Sequence, residues 1–156
     1  MKGNEKLIER LNARLADELT AINQYMVHSE MCDNWGYKRL HEISEKRAKE
    51  EMKHAEALIG RILFLEGKPV VSNLNKILIG SDVEKQFIND HKAENEAIKA
   101  YNEDIRFSAE INDNGTYEIL LSILKDEEEH IDLIETQLDQ LKQVGIQSFL
   151  SEQIGS

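Results

Sequence analysis

Glutamate and histidine stand three residues apart twice in this chain. Glu51 and His54 lie in the segment KEEMKHAE, and Glu127 and His130 lie in KDEEEHID. A step of three residues keeps both side chains on one face of a helix, so each pair can contact one ligand together. One such pair is a weak signal, because a charged, solvent-exposed helix produces it by chance. The rest of the chain decides whether the two pairs share a site.

The two pairs are 76 residues apart, and other segments repeat at the same offset. At this offset Glu18 corresponds to Glu94, and the segment ELTAINQY (18–25) corresponds to ENEAIKAY (94–101). Three segments with one offset indicate an internal repeat, in which two helical hairpins are copies of each other. In each antiparallel hairpin the repeated glutamates lie at similar distances from the connecting turn. We therefore expect six side chains to converge in the middle of the fold: Glu18, Glu51, His54, Glu94, Glu127 and His130.

Four carboxylates and two imidazoles in a protein interior are costly unless their charges are compensated. Buried carboxylates repel each other and lose hydration. A pair of divalent or trivalent metal ions reverses that balance, and these oxygen and nitrogen ligands suit iron or manganese. We expect Glu18 and Glu94, which have no histidine partner, to bridge the metals, and each Glu-x-x-His pair to supply terminal ligands. The alternative, six unrelated solvated side chains, requires the shared offset to be a coincidence.

Helical periodicity runs through nearly the whole sequence. Apolar residues from Leu7 to Met26 recur every three or four positions, as in one stripe of a helix that Asn4 can cap. CDNWG (32–36) predicts the end of this first helix. A second helix is predicted from about Tyr37 to Leu65, with the left-handed cap that ends it at Gly67.

Cap signals also place the later helices. SDVE, which begins at Ser81, predicts a capping box that opens a third helix, and NDNG (112–115) predicts its end. Thr116 can cap a fourth helix that runs to about Val144. Beyond Gly145, IQSFLSEQI (146–154) is typical of a short fifth helix. The fold class is therefore all-α, a four-helix bundle with a fifth short helix.

The connection between helices two and three predicts the topology. Its 14 residues, 67–80, reach about 46 Å when extended at ~3.3 Å per residue. A helix of about 28 residues is ~42 Å long. The segment can therefore cross the full length of the bundle, which leaves helices two and three parallel. The other two connections are short and predict antiparallel hairpins.

Composition excludes several classes of protein. The chain has 156 residues, enough for one domain over residues 1–156, and no long apolar run that could span a membrane. A net charge of −11 without a basic cluster makes nucleic acid an unsuitable partner and favours cations. The single Cys32 rules out an intrachain disulfide and a Cys-x-x-Cys metal site. These features fit a cytoplasmic location.

Over its whole length the chain resembles the bacterioferritins, through ELTAINQY, NWGYKRL, EMKHAE, RILFLEG, DEEEHID and IQSFL. The six glutamates and histidines named above match the ligand set already known from ferritin-like di-iron proteins, so the set is recognised here rather than deduced. The resemblance implies the ferritin-like fold and a homo-oligomeric hollow shell of about 24 subunits. It also implies a di-iron centre within each subunit that oxidises Fe(II) with O2 or H2O2, storage of the ferric mineral inside, and a ferredoxin-type reductant that releases iron.

The same resemblance assigns roles to two more residues. Met52 stands where bacterioferritins bind haem b at a two-fold axis, with one methionine from each of two subunits. Tyr25, seven residues after Glu18, stands where the family has a redox-active tyrosine. The alternatives are an exposed apolar residue at Met52, and at Tyr25 a core tyrosine whose hydroxyl donates to a carboxylate. We expect Tyr101, the repeat mate of Tyr25, to pack only, and we assign no role to Cys32.

Two further sites of some family members are uncertain in this sequence. Lys46, Glu50 and Asp126 occupy the positions of an inner-surface iron site, but a cationic lysine is a poor ligand. Polar residues at shell-channel positions also have a simpler interpretation as solvated helix charges: Asn34, Glu66, Asp132 and Asp139.

Three other functions were compared with iron storage. A di-iron oxidase or peroxidase of the rubrerythrin type would use the same ligands but store nothing. An acidic helical scaffold would need no metal, which the repeated ligand pattern disfavours. DNA-coating miniferritins build their site between subunits, whereas all ligands here lie within one chain.

Overall fold

The computed structural model describes residues 1–155, in which four long helices form a bundle and a short fifth helix follows. No strand occurs among these residues. The all-α prediction is therefore confirmed. The helices are α1 (Glu5–Trp35), α2 (Lys38–Phe64), α3 (Val83–Glu110), α4 (Asn114–Val144) and α5 (Ile146–Ser151).

The first helix follows its sequence signals at both ends. The side chain of Asn4 accepts a hydrogen bond from the backbone N–H of Leu7, as predicted for an N-cap. The helix continues through Trp35, most of the way through the expected break, and ends where Gly36 adopts a left-handed φ of 87°. Glycine adopts this conformation without steric cost, so the sharp turn into α2 occurs there.

Two predicted N-caps are wrong by a few residues. Asp82, not Ser81, caps α3, because its carboxylate accepts from the backbone N–H of Lys85 at 2.8 Å. Asp113, not Thr116, caps α4 and accepts from the backbone N–H of Thr116 at 3.0 Å. In both cases a carboxylate near the predicted cap supplies a charged acceptor to the positive end of the helix.

The predicted left-handed cap at Gly67 is also displaced. The residue with positive φ is Glu66, at 61°. Gly67 is required for a different reason, since a Cβ there would lie 2.7 Å from a methyl carbon of Ile8. The glycine thus lets the end of α2 pass close to α1.

The segment between α2 and α3 crosses the bundle along α1, which confirms the predicted crossover. Residues 65–82 form this segment, which we call the linker. Its backbone N–H groups donate to successive α1 side chains in chain order: Val70 to Asn12, Asn75 to Thr20, Leu78 to Gln24 and Gly80 to His28. The linker therefore runs parallel to α1 from one end of the bundle towards the other.

Two apolar clusters occupy the ends of the bundle and leave a polar middle. One cluster contains Leu7, Leu11 and Ile62, and the other contains Cys32, Phe87 and Ile134. Between them α1 buries polar side chains: Glu18, Thr20, Gln24, His28 and Ser29. The apolar ends supply the packing that holds this polar middle in place. Within residues 1–155, no helix combines the length and the hydropathy needed to cross a membrane.

Candidate metal centre

The structure brings all six predicted side chains together in the middle of the bundle, and each is at most 6% exposed. They come from all four long helices. Their potential ligand atoms form two overlapping groups, each lying within 4.8 Å. One group is Glu18, Glu51, His54 and Glu127, and the other is Glu51, Glu94, Glu127 and His130.

Glu51 and Glu127 belong to both groups, whereas Glu18 and Glu94, the two glutamates expected to bridge, belong to one group each. An oxygen of Glu51 lies 3.3 Å from Nδ1 of both His54 and His130. An oxygen of Glu127 lies 3.1 Å and 3.7 Å from the same two nitrogens. The glutamate of each Glu-x-x-His pair therefore reaches the space between both histidines, where a ligand shared by two ions would lie.

Glu18 and Glu94 lie at the two outer sides of the cluster. Glu18 is 3.5 Å from Nδ1 of His54, and Glu94 is 3.5 Å from Nδ1 of His130. Each outer glutamate thus lies next to one histidine only, as a ligand of a single metal ion would.

Both histidines are oriented by a carboxylate on the side away from the cluster. Nε2 of His54 lies 2.8 Å from Asp126, and Nε2 of His130 contacts Glu50. A carboxylate partner at one ring nitrogen fixes the tautomer and turns the other nitrogen towards a metal. The repeat offset of 76 residues places Glu50 on Asp126, so the two halves of the site match here as well.

Two buried tyrosines complete the symmetry. Tyr25 donates its hydroxyl proton to Glu94, and Tyr101 donates to Glu18 at 2.5 Å. Each tyrosine therefore binds the outer glutamate of the other half. Burial, and then the adjacent glutamates, raise the pKa of both phenols well above the ordinary value, so both are neutral donors at pH 7. The expectation that Tyr101 only packs is wrong.

The surroundings of the two tyrosines differ. The buried Arg47 places its guanidinium carbon 5.7 Å from the centroid of the Tyr25 ring, and it also donates to Gln137. Ile123 stands at the matching repeat position and belongs, with Tyr101, to an apolar cluster. The half of the site that contains Tyr25 is therefore the more polar one.

Among the residues that the structure describes, nine buried side-chain nitrogen or oxygen atoms lack a hydrogen-bond partner, and six of them are potential ligand atoms of the cluster. Buried polar atoms are normally satisfied, so such a group indicates a missing charged ligand. These six atoms all belong to the predicted residues: Glu18 Oε2, Glu51 Oε1, His54 Nδ1, Glu94 Oε2, Glu127 Oε1 and His130 Nδ1. Their chemistry, oxygen with imidazole nitrogen, fits two iron or manganese ions.

Crowding of these groups shifts their proton affinities. Burial, and then the other glutamates, raise the pKa of Glu51 and Glu127 well above the ordinary value. Burial opposes the charged imidazoles, but the surrounding carboxylates raise the pKa of His54, and they raise that of His130 to about 9. Burial also acts to raise the pKa of Glu94, but its contacts with His130 and Glu127 outweigh burial, so the pKa of Glu94 is lowered. Without metal, the cluster therefore retains protons at pH 7.

A cavity of about 260 Å³ leads from the outer surface to the cluster between α1 and α3. Glu18, Glu51, Glu94 and Glu127 all line it. The linker contributes part of its wall through Asn75, Lys76 and Leu78. Small ions and molecules thus have a direct path from solvent to the four carboxylates.

The remaining predicted residues lie away from the cluster. Met52 is 51% exposed, so its thioether faces outwards from α2 although the adjacent Glu51 is buried. Lys46 is exposed, and its ammonium lies 4.0 Å from Glu50. Cys32 is buried, and burial raises the pKa of its thiol to about 12.

The four predicted channel residues do not converge within one chain. All are exposed, and Asn34 and Glu66 lie at opposite ends of the bundle: Asn34, Glu66, Asp132 and Asp139. A channel between chains stays a prediction.

Sequence reasoning missed three contributors to the site. It placed Glu50 and Asp126 only at an inner-surface site, gave Tyr101 no polar contact, and did not assign the linker to the cavity wall. The repeat offset could have found the first two, because it pairs Glu50 with Asp126 and Tyr25 with Tyr101. The linker has no repeat mate and therefore gave no such signal.

Comparison with known proteins agrees with this geometry. A family model described as a ferritin-like domain matches residues 8–144. A bacterioferritin from Rhodobacter capsulatus is 41% identical over 149 residues, covering 96% of this chain and 92% of the relative. A bacterioferritin from Mycolicibacterium paratuberculosis is 38% identical over 152 residues, covering 97% and 96%. One from Streptomyces coelicolor is 38% identical over 151 residues, covering 97% and 90%.

Proposed function

We propose that this chain, which belongs to the bacterioferritin family of ferritin-like proteins, stores iron and oxidises Fe(II) at the six-residue cluster. The observation that supports the proposal most is the set of six buried, unpartnered ligand atoms that face one another from four helices. The oxygen–nitrogen contacts within the cluster, at 3.1–3.7 Å, leave these atoms without a hydrogen bond, whereas two metal ions would bind all six.

The proposed roles follow from position. Glu51 and Glu127, which belong to both groups, would contact two ions, and Glu18 with His54, and Glu94 with His130, would hold one ion each. The reaction takes one electron from each of two Fe(II) ions, and O2 with two protons becomes H2O2. Carboxylates that surround the reacting ions stabilise the higher charge of Fe(III), which favours oxidation at this place. The cavity between α1 and α3 admits the substrates.

Tyr25 is proposed, by family resemblance, to be redox-active and to supply an electron to the reaction at the cluster. Reduction of H2O2 to two water molecules needs two electrons and two protons. Fe(II) supplies one electron and the phenol of Tyr25 supplies the other, while the phenolic proton passes to Glu94, its hydrogen-bond acceptor. That proton and one from solvent then complete the two water molecules.

Haem b is proposed to bind at Met52. The exposed thioether is a soft donor suited to haem iron, and with its outward direction Met52 would hold the haem together with the same residue of a second copy of the chain, as the family resemblance implies. Lys49, one turn away and 69% exposed, can pair with a haem carboxylate, although it contacts Glu45 in the single chain. The residues present therefore fit the group, and bound haem would supply one-electron transfer across the subunit interface.

Storage requires a closed assembly, for which exposed apolar side chains supply contact surface. Large apolar residues are exposed on the helices, on the linker and after α5, including Met26, Phe64, Val71, Leu74 and Ile154. We propose a homo-oligomeric shell in the cytoplasm, of about 24 subunits as the family resemblance implies, with a ferredoxin-type reductant releasing the iron.

The assembly and its capacity can be tested in one experiment. We expect purified protein to sediment as a large particle at physiological salt. After aerobic addition of Fe(II), we expect the particle to retain far more iron than the roughly two ions per chain of the cluster. Iron and protein in the sedimenting fraction are measured together. Monomers or dimers that oxidise Fe(II) but retain no excess iron would exclude storage and favour an oxidase or peroxidase of the rubrerythrin type.

Metal binding to the cluster should release protons. Because the pKa values of Glu51, Glu127, His54 and His130 are raised, these groups hold protons in the metal-free protein that a metal must displace. Apparent metal affinity should therefore rise with pH up to about 9, the pKa of His130, by about tenfold per pH unit for each proton released. Calorimetry with Co(II) in buffers of different ionisation enthalpy measures the release. A binding heat independent of the buffer would contradict it.

A further inference from the structure

The linker closes one side of the cavity that leads to the cluster. Helices α1 and α3 form the two longer walls, and Asn75, Lys76 and Leu78 form part of the third. The four glutamates of the cluster line its inner end. The position of this short segment therefore sets the width of the path to the glutamates.

Along the cavity the linker is held mainly by α1, and on the α3 side Asn89, which does not line the cavity, donates to the carbonyl oxygen of Leu78 at 3.2 Å. Three of the α1 residues that hold the linker also line the cavity, and the repeat offset matches each of them with an α3 residue that lines it as well. On α1 all three are polar and accept hydrogen bonds from the linker, whereas on α3 two are alanines and none contacts the linker by a hydrogen bond. The matched pairs are Asp17 with Ala93, Thr20 with Glu96, and Gln24 with Ala100.

Asn75 is the most firmly held residue of this wall. Its backbone N–H donates to the hydroxyl of Thr20 at 2.8 Å, and its side-chain amide donates to Asp17. Three residues later the backbone N–H of Leu78 donates to Gln24 at 3.2 Å. These few hydrogen bonds hold a segment without helix or strand structure, and Asn75 itself is exposed. Such a segment can open locally without unfolding the bundle.

We propose that Asn75 fastens the linker to α1 as a gate, whose opening controls how fast metal ions reach the four carboxylates. The proposal rests on the proposed function, because it takes the cluster as the place where metal binds. Asn75 touches no ligand of the cluster and acts only through the position of the linker. It is thus an access-controlling residue and not a catalytic one.

A gate has a kinetic signature that a ligand lacks. Loosening it speeds metal entry and metal escape by the same factor, so the ratio of the two rates, and with it the equilibrium affinity, stays constant. Removing a ligand changes the affinity itself. Adding or removing one hydrogen bond in the closed state changes the equilibrium constant for opening by about two- to tenfold.

The test uses anaerobic stopped-flow absorption with Co(II) and the assembled, metal-free protein. We expect Asn75→Ala to raise both the association and the dissociation rate constants by about threefold or more, with an unchanged dissociation constant. Thr20→Val, which removes the acceptor of the Asn75 backbone N–H while keeping the side-chain shape, should act in the same direction.

Asn12→Ala provides the matched control. Asn12 also holds the linker by two hydrogen bonds, to Lys68 and Val70, but it does not line the cavity. We expect its rates to equal those of the wild type. Equal rates in all variants, or an Asn12→Ala effect as large as that of Asn75→Ala, would overturn the gate. A wild-type protein that binds no Co(II) at the cluster would instead overturn the proposed function.

Discussion

Glu18→Ala, Glu94→Ala and Glu127→Ala should each slow the fast phase of Fe(II) oxidation by about tenfold or more, equivalent to at least ~1.4 kcal/mol of barrier. Each change removes a carboxylate from at least one of the two groups of ligand atoms. The ions then lose a ligand, and the increase in charge on oxidation is less well stabilised. Glu127→Ala should have the largest effect, because Glu127 belongs to both groups.

Stopped-flow absorbance, after mixing anaerobic Fe(II)-loaded protein with O2, measures this phase. Glu56→Ala is the control, since Glu56 is exposed on α2, near the cluster in sequence but not part of it. Its rate should match that of the wild type. If all three ligand variants oxidised iron at the wild-type rate, the reaction would take place elsewhere.

The same variants should differ in the stability of the metal-free protein. Glu127→Ala removes a carboxyl whose pKa is raised by burial and by the other glutamates, which relieves unfavourable crowding. Glu18→Ala and Glu94→Ala also leave the buried hydroxyls of Tyr101 and Tyr25 without an acceptor, at a cost of about 1–3 kcal/mol each. Only Glu127→Ala should melt at or above the wild-type temperature.

Met52→Leu should abolish haem absorption completely, which is the second large effect. Leucine keeps the apolar contact surface but has no sulfur donor, so a haem held by two methionines loses both ligands at once. The assembly and the initial Fe(II) oxidation should persist, because Met52 faces away from the cluster. Absorption spectra of the variant, after reconstitution with haem, measure the loss.

Met26→Leu is the matched control for haem. Met26 is also a half-exposed methionine, at 50%, but it lies on α1 and is not the proposed ligand. Its haem spectrum should be that of the wild type. A haem spectrum that is unchanged in Met52→Leu would refute the assignment of this residue.

The convergence of the six side chains was predictable because two independent periodicities agree. The three-residue step fixes the face of each helix, and the repeat fixes the level along the bundle, so Glu51 and Glu127 had to meet if both hairpins fold alike. The crossover was predictable from length alone, since residues 67–80 can span a helix. Both predictions depend only on helix geometry and on residue spacing, which can be read from the sequence.

What escaped prediction depends on contacts between distant segments. The choice of Asp82 over Ser81 as a cap follows from backbone angles at one turn. The positions of Glu51 and Glu127 between both histidines depend on how far each helix face is rotated towards the opposite pair, which the three-residue step leaves open. The hydrogen bond from Asn75 to Thr20 joins residues 55 positions apart, and no periodicity in the linker sequence predicts it.

Crystals of the metal-free protein soaked anaerobically with Fe(II), and measured at the iron absorption edge, would test the central claim most directly. The account predicts two anomalous peaks inside each four-helix bundle, one beside Glu18 and His54 and one beside Glu94 and His130, with Glu51 and Glu127 contacting both. Bundles without any iron peak between these side chains, in crystals that bind iron elsewhere, would contradict it.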